Sequence, residues 1–119
     1  MDNSRYLNLN TSILYRCGQK YYDKKLSGHD INASQILFLI LIYEQEGLNM
    51  QQLAQKGCFD KGTVTKSISR LEELGYVATQ SSPEDKRIRL LFTTDKTKDI
   101  IRDIYMIRQQ WWELLSRDI

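Results

Sequence analysis

The sequence predicts a mainly α-helical domain that carries one small β-hairpin. Three observations predict it. Asparagine and aspartate stand immediately before several apolar-periodic stretches, where they cap helices. The hydrophobic period switches from helical to alternating only between Tyr76 and Phe92. Long helical patterns bracket both ends of the chain. A length of 119 residues, 41% of them apolar, fits a single domain with one core and argues against disorder.

The first helix covers residues 4–26. Leu7, Leu14, Cys17, Tyr21 and Tyr22 recur at helical spacing, and Ser27-Gly28 ends it. Asn32 caps the second helix, which starts at Ala33. The run from Ile36 to Tyr43 is apolar all round, which predicts burial on nearly every side. A central strand competes with that reading, because periodicity does not separate the two; the cap, Gln35 inside the pattern and the exit Glu44-Gln45-Glu46-Gly47 favour helix. Leu48-Asn49-Met50 is a short extended link, and Asn49 caps a two-turn helix over residues 50–56 that turns Leu53-Ala54 inward. Gly57-Cys58-Phe59 forms a turn. Asp60 caps a helix over residues 61–74, stopped by Gly75, with Val64, Ile68, Leu71 and Leu74 as its buried stripe. Residues 76–80 and 87–92 read as two strands around the turn-rich loop 81–86. Thr94 caps the last helix, residues 95–116. Ile100, Ile104, Ile107, Trp111 and Leu114 make a heptad-type seam there, with a second stripe, Ile101, Tyr105, Trp112 and Leu115, beside it.

Several functional classes fall away at once. The longest apolar run, Ile36 to Tyr43, is far short of the roughly 18 residues a membrane span needs. Met1-Asp2-Asn3-Ser4-Arg5 has no signal-peptide character, so a cytoplasmic protein is expected. Two cysteines, Cys17 and Cys58, make neither a disulfide framework nor a zinc set, and no metal or cofactor is expected. With one histidine, His29, no glycine-rich phosphate loop and no nucleophile–base pair, no catalytic residues are assigned and an enzyme is not expected.

Two helices joined by a tight turn and followed directly by a hairpin form a winged helix-turn-helix, whose second helix is the one that reads DNA. Turning about 100° per residue from Val64 puts Gly62, Lys66, Ser69 and Arg70 opposite the core, flanked by Thr63 and Thr65, with Lys61 at the start. Small side chains let the backbone approach the groove floor. Thr and Ser bond to base edges or phosphates, and Lys66 and Arg70 neutralise phosphate or bond to guanine. Asp85, Lys86 and Arg87 put a second contact near the hairpin tip. An arginine there enters the negative minor groove, and Asp85 holds its guanidinium by an ion pair. Glu72 and Glu73 lie where the helix leaves the groove.

Residues 32–75, then Ser82-Pro83-Glu84-Asp85-Lys86-Arg87 and Phe92-Thr93-Thr94, resemble the MarR (multiple antibiotic resistance regulator) family of bacterial winged-helix transcription factors. Met50-Gln51-Gln52-Leu53-Ala54, Asp60-Lys61-Gly62-Thr63-Val64-Thr65-Lys66, Arg70-Leu71-Glu72-Glu73-Leu74-Gly75-Tyr76-Val77 and the Asp85-x-Arg87 wing carry the likeness. The resemblance implies a homodimer on an inverted-repeat operator, acting as a repressor. It also implies release by a small aromatic effector, or by oxidation of a cysteine. It divides the chain into an N-terminal dimerisation helix (residues 1–31), a winged-helix DNA-binding core (32–93) and a C-terminal dimerisation helix (94–119). Three departures stand out. Gly57 precedes Cys58 where the family has an apolar residue and then glycine. Thr94-Asp95-Lys96-Thr97 lacks the glycine of the usual Thr-x-x-Gly. The chain ends at Ile119, so the final helix that clasps the partner is expected to be missing, whether by truncation or because the dimer is built differently.

Other features have quieter readings. Cys17 lies among apolar neighbours and reads first as a small buried hydrophobe. A redox-sensing regulator using Cys17 is the alternative, although the peroxide-sensing branch of the family carries its cysteine earlier in the first helix. Redox sensing by Cys58 is the weaker possibility. His29 and Asp30 read as loop residues before ligands. Tyr15, Tyr21, Tyr22, Phe38 and Tyr43 read as core packing, with Tyr15, Tyr22 and Phe38 as candidate walls of an effector pocket. A winged helix used only for protein binding is the rival class. It calls for an acidic or apolar recognition face, and this one is small and basic.

Overall fold

A computed structural model describes residues 3–116, with side chains from Asn10 onward, so the expectation for Leu7 lies outside the described side chains. The order is α1 (Asn3–Lys25), α2 (Ala33–Glu44), α3 (Met50–Gly57), α4 (Lys61–Glu73), β1 (Val77–Ser81), β2 (Arg89–Thr93) and α5 (Asp95–Ser116). The fold is mainly helical with one two-stranded sheet.

Cap chemistry sets three helix starts. Asn32 accepts from the Gln35 amide while the Gln35 side chain accepts from the Asn32 amide, a reciprocal capping box. Asn49 and Gln52 repeat it at α3. Asp60 Oδ1 accepts from the Thr63 amide at 2.7 Å to start α4. Thr94 departs from the expected cap: its hydroxyl donates to the Gly75 carbonyl at 2.6 Å and ties the start of α5 to the end of α4.

The core gathers Ile36, Phe38, Leu39, Ile40 and Ile42 of α2, Leu53 of α3, Val64, Ile68 and Leu71 of α4, and Leu91 of β2. The prediction that α2 is buried on nearly every side needs correction, because Leu37 and Tyr43 are exposed. α2 packs against α1, α3, α4, α5 and β2, which leaves one side open. α1 differs in the same way. Its C-terminal end reaches the core through Tyr21, Tyr22 and Leu26, but Leu14 and Cys17 project from the part that runs past it and are exposed.

On α5 the buried line is Thr97, Ile101, Ile104 and Ile107. It takes residues from both predicted stripes, since the core meets the helix between them. Trp111 rests against α1, where a Cβ on Gly18 would lie 3.2 Å from the indole Nε1. Trp112 and Leu114 are exposed.

Two departures from the family pattern have local causes. Cys58, not Gly57, takes the left-handed conformation at φ 57° that ends α3. Gly57 is needed for clearance, because a Cβ there would stand 2.1 Å from the Phe59 ring, which stacks on Phe38 with ring centres 4.4 Å apart. Thr97, where the family has glycine, is fully buried, and its hydroxyl donates to the Tyr76 carbonyl at 2.6 Å.

β1 and β2 pair antiparallel from Val77↔Thr93 to Ser81↔Arg89. The second strand starts at Arg89 rather than the predicted 87, since Asp85 draws Arg87 into the turn. The link before α3 is part of the wing as well. Gly47 donates to the Leu91 carbonyl at 2.8 Å, Leu91 donates to that of Leu48 at 2.9 Å, and Asn49 bridges to Leu90.

Candidate nucleic-acid interface

Burying Val64, Ile68 and Leu71 turns the opposite face of α4 outward. Lys61, Gly62, Thr63, Thr65, Lys66, Ser69 and Arg70 are all exposed on it. The Asp60 cap holds the start of the helix, and the Thr63 amide keeps the Asp60 carboxyl below its ordinary range. The Thr65 hydroxyl donates back to the Lys61 carbonyl at 2.9 Å, which leaves its oxygen free to accept only. Arg70 Nη1 pairs with Glu73 Oε2 at 3.1 Å, so Glu73 steers this cation as well as ending the basic face.

The wing supplies the second group. Arg87 donates to Asp85 through its backbone amide (3.0 Å), Nε (3.1 Å) and Nη2 (3.1 Å). The carboxylate takes the guanidinium side-on, and those bonds keep its own pKa below the ordinary carboxylate value. The Arg87 side chain is still 90% exposed, whereas that of Asp85 is 31% exposed. The arrangement fixes the cation without covering it. Lys86 stands beside it, exposed. A cleft between the wing and α3–α4 is lined by Asn49, Lys61, Thr65, Arg87 and Arg89, so the two cationic elements face one open space.

A second network ties α5 and the α1–α2 loop to the end of α4. Lys96 of α5 donates to the Leu74 carbonyl at the end of α4 (2.6 Å), pairs with Asp30 (3.1 Å) and lies 4.3 Å over the Tyr76 ring, whose hydroxyl also donates to Asp30. Desolvation, then the Asp30 carboxylate, pushes the Tyr76 phenol up, while the Tyr76 and Lys96 bonds hold Asp30 down. Asp30 is thus a tie between the α1–α2 loop and the end of α4. The sequence signal was only an aspartate in a loop and a lysine in a first helical turn.

The three candidate effector-pocket residues do not converge. Phe38 is buried against Phe59, and Tyr15 is exposed and bonded by Gln19. Tyr22 lines a groove with Tyr105, Arg108, Trp111, Trp112 and Leu115, and Tyr15 a separate shallow one with Thr11, Ser12, Arg16 and Gln19. Cys17 and Cys58 are both exposed, which corrects the buried reading of Cys17. Among the described residues, no group of three or more His, Cys, Asp or Glu could hold a metal, and no helix is long and apolar enough to cross a membrane.

Two short helices joined at a left-handed residue, the second bearing a small basic face beside a two-stranded wing, define a winged helix-turn-helix protein. The sequence profile of the MarR family matches residues 31–88. A MarR transcriptional regulator from Methanosarcina mazei Go1 superposes with a TM-score of 0.88 at 34% identity, over 93% of this chain and 80% of that one. The chain belongs to the MarR family. It is similar to the HTH-type transcriptional regulator TtmR of Methylorubrum extorquens (32% identical over 66% of this chain and 40% of TtmR). It is likewise similar to the HTH-type transcriptional regulator BilQ of Clostridioides difficile (30% over 76% of this chain and 62% of BilQ). The chain therefore spans less than two thirds of the length of these two relatives. MarR-family proteins are DNA-binding transcriptional regulators, not enzymes.

Proposed function

We propose that this chain is a sequence-specific DNA-binding transcriptional regulator: a repressor that sits as a homodimer on an inverted-repeat operator and leaves it when a small aromatic ligand binds. One observation carries the DNA reading: Arg87 is held side-on by Asp85 yet stays exposed, facing the same cleft as the basic end of α4. A major-groove helix with a minor-groove arginine requires that pairing. Residues 32–93 act as the DNA-binding core, and residues 1–31 and 94–119 as the dimerising helices. Exposed Ile13, Leu14 and Tyr15 on α1, with Trp112 and Leu114 on α5, support a second copy as their cover. The groove of Tyr22, Tyr105 and Trp111 supports a small aromatic effector, with rings for stacking, while its Arg108 is paired with Glu44. A regulator of this kind works in the cytoplasm, beside the chromosome.

The test is duplex selection from a random pool, followed by affinity measured against salt. A selected inverted repeat, with binding that falls steeply as salt rises, is expected. Salt-independent or absent duplex binding would sink the reading in favour of a protein-binding winged helix.

A further inference from the structure

The side of α4 that faces the wing carries a carboxylate, Glu72, and both wing strands close on it. Thr79 of β1 donates from Oγ1 to Glu72 Oε2 at 3.0 Å. Arg89 of β2 brings Nη2 to 3.5 Å from the same oxygen and also donates to Thr79 Oγ1. Among the described residues, these are the polar side-chain ties between α4 and the two strands. We propose that Glu72, Thr79 and Arg89 form a strut of positioning residues that sets the angle of the wing against α4, and that Arg89, although it borders the cleft shared with Lys61 and Arg87, is engaged by Glu72 and Thr79 rather than being one more phosphate contact. This inference rests on the DNA reading above.

Three points support it. Asp85 orients Arg87 only relative to its own turn, so the wing still has to be oriented relative to the helix. Leu91 of β2 is tied by backbone bonds to Gly47 and Leu48, ahead of α3; Thr79 adds a tie from β1 to the end of α4, and Arg89 one from the turn end of β2, so both strands are braced. The charges also balance. A bare carboxylate on a groove-reading helix would repel phosphate, and Arg89 cancels it, so the strut adds no net field while fixing a distance. The pair is also half open to water, with Arg89 57% and Glu72 38% exposed, so it contributes little to folding. Its position between two groove-reading elements gives it a role that folding does not require.

The experiment uses the full chain and the duplex selected from the random pool, with a random duplex of equal length beside it. Arg89→Leu, Glu72→Gln, Thr79→Val and the Glu72→Gln/Arg89→Leu double variant are titrated across a salt series, with thermal melts to confirm folding. Each single variant should bind the selected duplex about three- to tenfold more weakly, with much less change on random DNA, and the double variant should lose no more than the worse single one. Arg89→Leu should leave the salt slope unchanged. A slope reduced by about one per subunit in Arg89→Leu, tighter binding by Glu72→Gln, or strictly additive losses would overturn the strut and make Arg89 an ordinary DNA cation. If the unaltered chain binds no duplex in a salt-dependent way, it is the DNA reading that has failed, not the strut alone.

Discussion

The winged half and the long-helix half differ in how much apolar surface they leave open. In the first, Leu53, Val64, Leu71 and Leu91 are sealed, the cap groups are satisfied and the outward face of α4 is small and basic, although Leu37, Tyr43 and Ile88 stay exposed. In the second, Ile13, Leu14 and Tyr15 on α1, and Met106, Trp112 and Leu114 on α5, meet water. The winged half completes its core within one chain, while the long helices carry apolar side chains that one chain does not cover. The difference separates two kinds of apolar residue with the same periodicity, those that the fold buries and those that it leaves at the surface.

The comparison can be broken most directly with truncations on each side of it. Leu71→Ala opens a cavity in the sealed half and should cost about 2–5 kcal/mol of stability in chemical denaturation. Trp112→Ala with Leu114→Ala should leave the denaturation of the dilute chain nearly unchanged and instead shift sedimentation toward the monomer. Equal destabilisation by both changes would show that the exposed side chains belong to the core after all.

A second measurement sharpens the polar side. Lys66→Ala and Arg70→Ala should each cost about 1–3 kcal/mol on the selected duplex and clearly less on random DNA. Equal losses on both would confine these residues to phosphate. Arg87→Ala should reduce the salt slope by roughly one per subunit. Asp85→Ala should also weaken binding, although it removes a negative charge. Tighter binding at several salt concentrations would mean that Asp85 does not position Arg87.

The smallest effect concerns pH. The Thr63 amide, which the folded state holds against Asp60, lowers that carboxyl from its ordinary 3.8. A depressed folded value means that the cap stabilises above the unfolded value and loses its effect as pH falls through the folded one. The melting difference between the natural chain and Asp60→Ala should therefore be constant at neutral pH and close only below about 3.8. A difference already gone at pH 6 would exclude the carboxylate as its source.

The sequence was most legible where structure is decided locally. Asn32, Asn49 and Asp60 name their own helices because a cap needs only the next three residues, and the outward face of α4 follows from one buried stripe. Legibility failed where packing chooses between equivalent options. α5 offered two apolar stripes, and the core took a line between them. The groove around Arg108 depends on how α1 crosses α5, and the Glu72–Arg89 contact on the wing angle; neither is encoded in spacing. Arg87 and Ile88 alternate as strand residues should, yet Asp85 bonds the Arg87 amide and claims them for the turn.

Trp111 and Trp112 are the chain's two tryptophans and are consecutive in sequence. The first lies against the Gly18 backbone and 5.3 Å from the Tyr21 ring, and the second is 61% exposed. The emission spectrum of the protein is therefore already divided between two questions. With Trp112 replaced by Phe, the remaining indole signals whether α1 is seated on α5 in a single chain. With Trp111 replaced instead, the remaining red-shifted indole moves to shorter wavelength when another surface, or a ligand in the groove it lines, shields it from water. Two single substitutions thus turn folding and association into separate optical channels, with no dye added.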